Sequence, residues 1–197
     1  WTLHDMWPYC GSEHYTFSDD YINGYKKKKF FPIDLNFPVW KLKKKYANPK
    51  IHFVSTSSWQ QKNIEKSYLY KNNPSKLIPL PLDLNFWKPI DKKISKNLLD
   101  INEENVILFG GDNFIARKWK GFEFIKNVIK NSKSDKFRKN TLFIFFGEDK
   151  KFVSEINTLG IKYKYFKNVL PNSYDLKLLY SASDLLLVPS TLESFGQ

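Results

Sequence analysis

From Val106 onward the chain alternates short apolar runs with helix-length segments, and that rhythm leaves few folds open. Val106 to Gly110, Thr141 to Phe146, Ile161 to Phe166 and Asp184 to Val188 read as strands. Residues 120–132, 150–159 and 173–182 read as the helices between them. Units of this length, each strand followed by a crossover helix, build a parallel, doubly wound sheet with right-handed connections. Leu185 to Val188 has the unbroken apolar character of a strand buried on both faces.

The first part of the chain carries the same periods less regularly. A strand ends at Trp1-Thr-Leu-His4, and an irregular loop rich in aromatic and polar residues follows to about Pro38. Val39 to Tyr46 reads as a helix, Ile51 to Ser55 as a short strand, and Thr56 or Ser57 as the cap of a helix running to about Tyr70. Lys76 to Pro79 reads as another short strand. The segment Pro79 to Pro89 holds three prolines, breaks regular structure and is the natural interdomain linker. The expected division is therefore residues 1–88, linker included, and 89–197, both α/β.

Composition removes several classes of protein. A chain that is 42% hydrophobic and 17% aromatic is not generally disordered. A single cysteine, Cys10, excludes an internal disulfide framework and fits a reducing compartment. No apolar stretch approaches the roughly 20 residues of a membrane span, and the chain opens on Trp1 rather than Met. The expected location is cytoplasmic, with peripheral contact at the inner membrane face. The formal charge of +12 is concentrated in two runs, Lys26 to Lys29 and Lys41 with Lys43 to Lys45. Such runs draw lipid headgroups, nucleic acid or phosphorylated substrates, or they are solvated lysines of a Lys-, Asn- and Ile-rich composition. No nucleic-acid motif accompanies the charge, which favours membrane or phosphate.

Three motifs carry candidate chemistry. In the first, a strand ends at Gly110-Gly111 and leads through a loop to Arg117-Lys-Trp-Lys120-Gly121 at a helix start. Glycines let a ligand approach the backbone, the helix start offers N–H groups to an anion, and the cations neutralise a diphosphate. The bland alternative is a tight turn with surface lysines. The sequence lacks the Lys-Ser/Thr ending of a Walker A loop. In the second, Glu193-Ser-Phe-Gly196 presents a carboxylate beyond a strand end, suited to vicinal sugar hydroxyls, or else a glutamate favoured in the first turn of a helix. The third is Thr2 to Tyr15, where His4 at a strand end is followed by Asp5. Cys10 with His14 makes a poor zinc set and a poor nucleophile pair. No Gly-x-Ser-x-Gly elbow supports a serine hydrolase. Asp83 reads as a turn residue, and Trp40, Trp59 and Trp87 as packing.

These motifs, in this order, resemble bacterial glycosyltransferases of the GT-B, family 4 type that assemble surface polysaccharides such as O-antigen and capsule. The resemblance runs through Thr2-Leu-His-Asp-Met-Trp-Pro-Tyr-Cys-Gly-Ser-Glu-His-Tyr15, Asp34-Leu-Asn-Phe-Pro-Val-Trp40 and Ser55-Thr-Ser-Ser-Trp59. It continues in Ile78 to Pro89, Ile107-Leu-Phe-Gly110, Lys120-Gly121, Ser183 to Ser190 and Glu193-Ser-Phe-Gly196.

That resemblance implies a GT-B fold of two Rossmann-like doubly wound domains, both incomplete in this chain, with the site in the cleft between them. It implies retaining, metal-independent transfer of a sugar from a nucleotide-sugar donor to a lipid-linked or oligosaccharide acceptor, with no further cofactor and no nucleic acid. On matching positions, Lys120, Arg117 and Gly111 would hold the donor diphosphate. Glu193, Ser194, Phe195 and Gly196 would bind the donor sugar, Val169 and Leu170 would meet the base, and His4 would line the acceptor side as a catalytic residue with Glu193. Relatives often have Arg-Lys-Gly where this chain has Trp119-Lys120-Gly121. They also have βα units before the His-Asp loop and a second glutamate seven residues after the first, which here would fall beyond Gln197. The chain is thus expected to be an internal fragment, inactive by itself. The alternative from another class is a non-catalytic basic Rossmann-like protein that binds anionic membrane or nucleic acid.

Overall fold

A computed structural model describes residues 1–27, 34–111, 113–132, 134–148 and 152–196. Contacts divide the chain into two compact units: Trp1–Pro81 with Glu193–Gln197, and Leu82–Leu192.

The first unit holds three parallel strands in the order β1 (Thr2–Leu3), β2 (Phe53–Ser55), β3 (Ser75–Leu77). Helices α1 (Asp20–Asn23), α2 (Asn36–Tyr46) and α3 (Ser58–Lys66) accompany them. Its core gathers Leu3, Met6, Tyr9, Tyr21, Trp40, Phe53, Ile64 and Tyr70. Helix α2 begins three residues before the expected Val39, because Pro38 falls in the first turn, where a missing N–H costs nothing. The cap of α3 is Ser57, whose hydroxyl accepts from the Gln60 N–H at 3.2 Å. Thr56 instead donates to the Leu3 carbonyl at 3.4 Å. Helix α3 ends at Lys66 rather than near Tyr70, as Ser67 turns the chain by bonding Ile64 O and Tyr70 N.

The second unit is a four-stranded parallel sheet, β4 (Asn105–Gly110), β5 (Thr141–Phe146), β6 (Lys162–Phe166) and β7 (Leu185–Leu186). Its spatial order is β6-β5-β4-β7. Helices α4 (Lys92–Leu98), α5 (Phe122–Asn131), α6 (Asp135–Asn140), α7 (Phe152–Ile156) and α8 (Tyr174–Ala182) belong to it. Alternate residues of the two central strands feed two separate cores. Phe109, Phe143 and Phe145 meet Phe122, Ile125 and Ile129 of α5 and Phe152 of α7. Val106, Leu108, Leu142 and Ile144 meet Leu179 and Ala182 of α8. Both faces are covered, as a doubly wound sheet requires.

Further elements differ from expectation. Strand β7 is two residues long, and Leu185, Leu186 and Val188 are exposed, so the expected doubly buried strand is an edge strand among the described residues. Helix α5 starts at Phe122, after a 3-10 turn over Lys118–Lys120. The expected helix 150–159 is α7 followed by a 3-10 turn at Asn157–Leu159, and its first two residues lie outside the described ones. Helices α1, α4 and α6 are too short for an amphipathic period to show in the sequence. Asp83 turns the chain as expected, accepting from Asn85 N at 2.9 Å. The Pro-rich segment then packs Phe86 on Tyr174 and Trp87 on Tyr180 of α8.

Two contacts hold β7 and its exit in place. Asp184 accepts from Val106 N at 2.8 Å and from Lys92 at 2.7 Å, with Lys96 at 3.6 Å. Gly121, at φ +78°, lies so close to the chain after β7 that a Cβ there would sit 2.5 Å from the Pro189 carbonyl oxygen. Gly121→Ala adds left-handed strain of about 1–2 kcal/mol to that overlap. Its urea midpoint is expected to fall by at least that equivalent, and an unchanged midpoint would show that Pro189 yields without cost. Burial by itself would raise the Asp184 carboxyl, but hydrogen bonds from Lys92 and Val106 N hold it below the usual aspartate value of 3.8. Its stabilisation is therefore complete above that value and is lost as pH falls through the lower folded one. Asp184→Asn is expected to be less stable than the parent at neutral pH, with the gap closing in acid. A gap constant with pH would mean the charge contributes nothing.

Candidate functional site

Strand order places a switch point between β4 and β7. The chain leaves β4 for α5 on one face of the sheet and reaches β7 from α8 on the other. Ligands in open α/β sheets bind at such points, outside the carboxyl ends of the strands. The loop from Gly111 to Gly121 opens there. Phe114, fully buried against Phe109, Phe122 and Phe152, anchors it. Asn113 N donates to Glu148 O at 2.9 Å, and Arg117 N to Asn113 O at 2.9 Å.

Gly111 is half-buried, and a Cβ there would meet nothing within 4 Å, so there is room beside it. Its N–H already donates to Phe146 O at 3.0 Å, so it offers a ligand close approach rather than a donor. Gly147 crosses directly behind it. A Cβ on Gly147 would lie 2.1 Å from the Gly111 carbonyl oxygen, at φ +103°, so only glycine fits.

Lys120 closes the 3-10 turn and is half-buried, while Arg117 and Lys118 are exposed. Gly121 hands the chain to α5, whose first internal bond is Ile125 N to Gly121 O at 3.3 Å. The N–H groups of Phe122, Glu123 and Phe124 precede that bond and point out of the helix start. The turn is braced against the strand exit by Thr191 N to Trp119 O at 2.9 Å and by the Gly121–Pro189 approach. Three cations and a helix start thus stand at one edge of the crevice, tied to the chain leaving β7. Val169 and Leu170 follow β6, two strand spacings or roughly 10 Å from β4. Val169 lines a hollow of about 310 Å³ with Leu99, Phe166, Lys167, Asn168 and Asp175, and Leu170 is exposed.

In the first unit the loop after β1 presents His4, exposed, at the carboxyl end of the strand. This loop is stapled shut. Met6 N donates to His14 O at 2.9 Å, His14 Nδ1 meets Asp5 Oδ2 at 2.5 Å, and Tyr15 Oη donates to His4 O at 3.5 Å. Tyr15 Oη also donates to Ser194 Oγ at 3.4 Å, so His4 and Ser194 share a neighbour. Glu193 is half-buried in irregular chain rather than in a helix turn, and Phe195 and Gly196 are exposed. Glu13 accepts from Tyr25 Oη at 2.5 Å and Asn36 Nδ2 at 3.0 Å, and is structural. Burial pushes the Cys10 thiol up to about 12, and His14 is engaged by Asp5, so no nucleophile pair forms.

The basic runs separate in the structure. Lys41, Lys44 and Lys45 are exposed on α2, but Lys43 turns inward. Its Nζ donates to Gly11 O at 2.7 Å, to Cys10 O at 3.2 Å and to Trp7 O, and burial draws its ammonium down to about 8. Lys28 and Lys29 lie outside the described residues. Asp5 was read at the site beside His4, whereas Tyr15 and His14 are the residues that sequence reasoning did not place there. The repeated pairs His4-Asp5 and His14-Tyr15 were the available signal. Among the described residues, no group of three His, Cys, Asp or Glu side chains is placed to hold a metal, and no helix is long and apolar enough to cross a membrane.

No family model and no curated protein matches the chain. Solved structures do. Sucrose-phosphate synthase from Thermosynechococcus elongatus is 17% identical, with a TM-score of 0.59 over 73% of this chain and 36% of that one. WaaG, a glycosyltransferase involved in lipopolysaccharide biosynthesis, is 20% identical, with a TM-score of 0.61 over 80% of this chain and 44% of its own. Anabaena HepE in complex with UDP is 16% identical, with a TM-score of 0.62 over 97% of this chain and 46% of its own, and HepE has also been solved with UDP-glucose. The chain spans less than half the length of each. Its architecture is that of these glycosyltransferases, the GT-B fold with two Rossmann-like α/β units.

Proposed function

We propose that this chain belongs to a retaining, nucleotide-sugar-dependent glycosyltransferase of family 4 type that acts in bacterial surface polysaccharide synthesis. The observation that carries the reading is the switch-point turn, where Lys120 and the start of α5 are locked to the exit of β7 through Gly121 and Pro189. HepE, of the same fold, is seen with UDP and with UDP-glucose, which supports a diphosphate donor at this turn.

In this reading the donor diphosphate lies against Lys120, Arg117 and the α5 N–H groups, beside Gly111. As the bond from the anomeric carbon to the diphosphate oxygen breaks, negative charge grows on the leaving group. Fixed cations and amides stabilise it without reorganising, and no metal is needed. The acceptor hydroxyl attacks from the face the diphosphate leaves, bonds the anomeric carbon and gives its proton to the departing diphosphate oxygen. Glu193 accepts hydrogen bonds from donor sugar hydroxyls, with Ser194, Phe195 and Gly196 alongside. Val169 and Leu170 meet the base, and His4 serves the acceptor, a saccharide or a lipid-linked one. Exposed Lys41, Lys44 and Lys45 support peripheral contact with anionic membrane at the cytoplasmic face.

Calorimetry with UDP and GDP, against a short DNA duplex, tests the reading. One of the diphosphates is expected to bind, and Lys120→Ala to weaken it roughly 10- to 100-fold, as losing a charge-assisted hydrogen bond implies. Binding of the duplex alone would favour the non-catalytic basic protein. Diphosphate binding unchanged in Lys120→Ala would remove that lysine from the site.

A further inference from the structure

The loop after β1 contains a second constellation that the donor chemistry does not use. Trp7 lies on it with 39% of its surface exposed. Its surroundings are rigid. Trp7 N donates to Asp5 Oδ1 at 2.9 Å, and its carbonyl accepts from Lys43, whose Nζ also stands 3.7 Å from the centre of the Trp7 ring. Gln60 Nε2 donates to the Asp5 carbonyl, and Tyr9 and Cys10 just beyond are fully buried. An exposed indole is thus held from both sides of the chain.

The polar groups beside it are equally fixed. Asp5 has one oxygen on the Trp7 N–H and the other on His14 Nδ1. That contact occupies Nδ1, so Nε2 is the ring nitrogen left for a ligand. The His14 side chain is 69% exposed, and Nε2 has no hydrogen-bond partner among the described residues. One carboxylate therefore joins the main chain of an exposed indole to an outward-facing imidazole.

We propose that Trp7, Asp5 and His14 form a carbohydrate subsite, and, on the glycosyltransferase reading above, that it holds a sugar ring of the acceptor. A pyranose has an apolar face of C–H groups and a rim of hydroxyls. Lys43 stands over one face of the indole, and the slightly positive C–H face of the sugar suits the other. A hydroxyl on the rim, able both to donate and to accept, pairs with His14 Nε2, and the remaining lone pairs of Asp5 accept from another. A neutral sugar fits better than an anionic one, because the Asp5 carboxylate belongs to the site and the Lys43 ammonium beside the ring is committed to carbonyls. The site is ordered before the ligand arrives, which lowers the entropic cost of binding.

Saturation-transfer NMR with the methyl glycosides of glucose, galactose and N-acetylglucosamine tests this. At least one glycoside is expected to bind at millimolar concentration. Trp7→Ala is expected to weaken it at least tenfold, Trp7→Phe to retain most of it, and His14→Asn to weaken it several-fold, with thermal melts confirming that each variant is folded. UDP affinity should be the same in all of them. No binding by any glycoside, or equal binding by Trp7→Ala and the parent, overturns the subsite. Glycoside binding by a chain that binds no nucleoside diphosphate would leave the subsite standing and sink the glycosyltransferase reading. UDP binding without glycoside binding would do the reverse.

Discussion

Strand β4 is the element on which the second unit depends. It pairs on one side with β5 over six residues and on the other with β7, and its two faces supply two different cores. Because β7 is its neighbour, the chain after β7 emerges beside the chain after β4. That adjacency lets Gly121 approach the Pro189 carbonyl and Trp119 O accept from Thr191 N. The positioning of Lys120 is thus a consequence of strand order, transmitted through one glycine. A side chain at 121 would part the two exits, and the basic turn would lose its support.

The first unit reaches order by another route. Its strands are only two or three residues long, so backbone pairing contributes little. The loop after β1 is instead held by side chains: Lys43 on three carbonyls, Glu13 between Tyr25 and Asn36, Asp5 between Trp7 and His14. Lys43 shows why a charge run is poorly read as a single surface feature. Its neighbours on α2 are solvated, while Lys43 reaches the loop after β1 and takes up three of its carbonyls.

Much of this was legible in the sequence, and the limits have physical causes. Strands β4 and β5 were readable because both faces of the sheet are covered and Val106 to Phe109 and Leu142 to Phe146 are unbroken apolar runs. Leu185 to Val188 has the same composition, yet sits at an edge, since composition reports apolarity and not whether a neighbour is present. Helix α5 shows its period in Phe122, Ile125 and Ile129, whereas α1, of four residues, has no period to show. Gly121 was legible as a helix start, but not as the glycine that makes room for the Pro189 carbonyl, 68 positions away. The Asp5–His14 pair was invisible for a similar reason. Each residue is ordinary alone, and only the closure of the loop through Met6 N and His14 O brings carboxylate and imidazole together.

The two candidate sites also divide the chemistry in a way their surroundings dictate. The switch-point turn has cations and amides and, apart from Glu123, whose carboxylate is drawn to Lys126 at 2.6 Å, no acid in the segment from Arg117 to Phe124. Such a turn favours a ligand with concentrated negative charge. The β1 loop holds its Asp5 carboxylate between an imidazole and the main chain of an indole, and its one inward cation is already committed to three carbonyls. That loop favours an uncharged ligand with both apolar and hydroxylic edges. In the proposed glycosyltransferase the first site takes the donor diphosphate and the second a sugar of the acceptor.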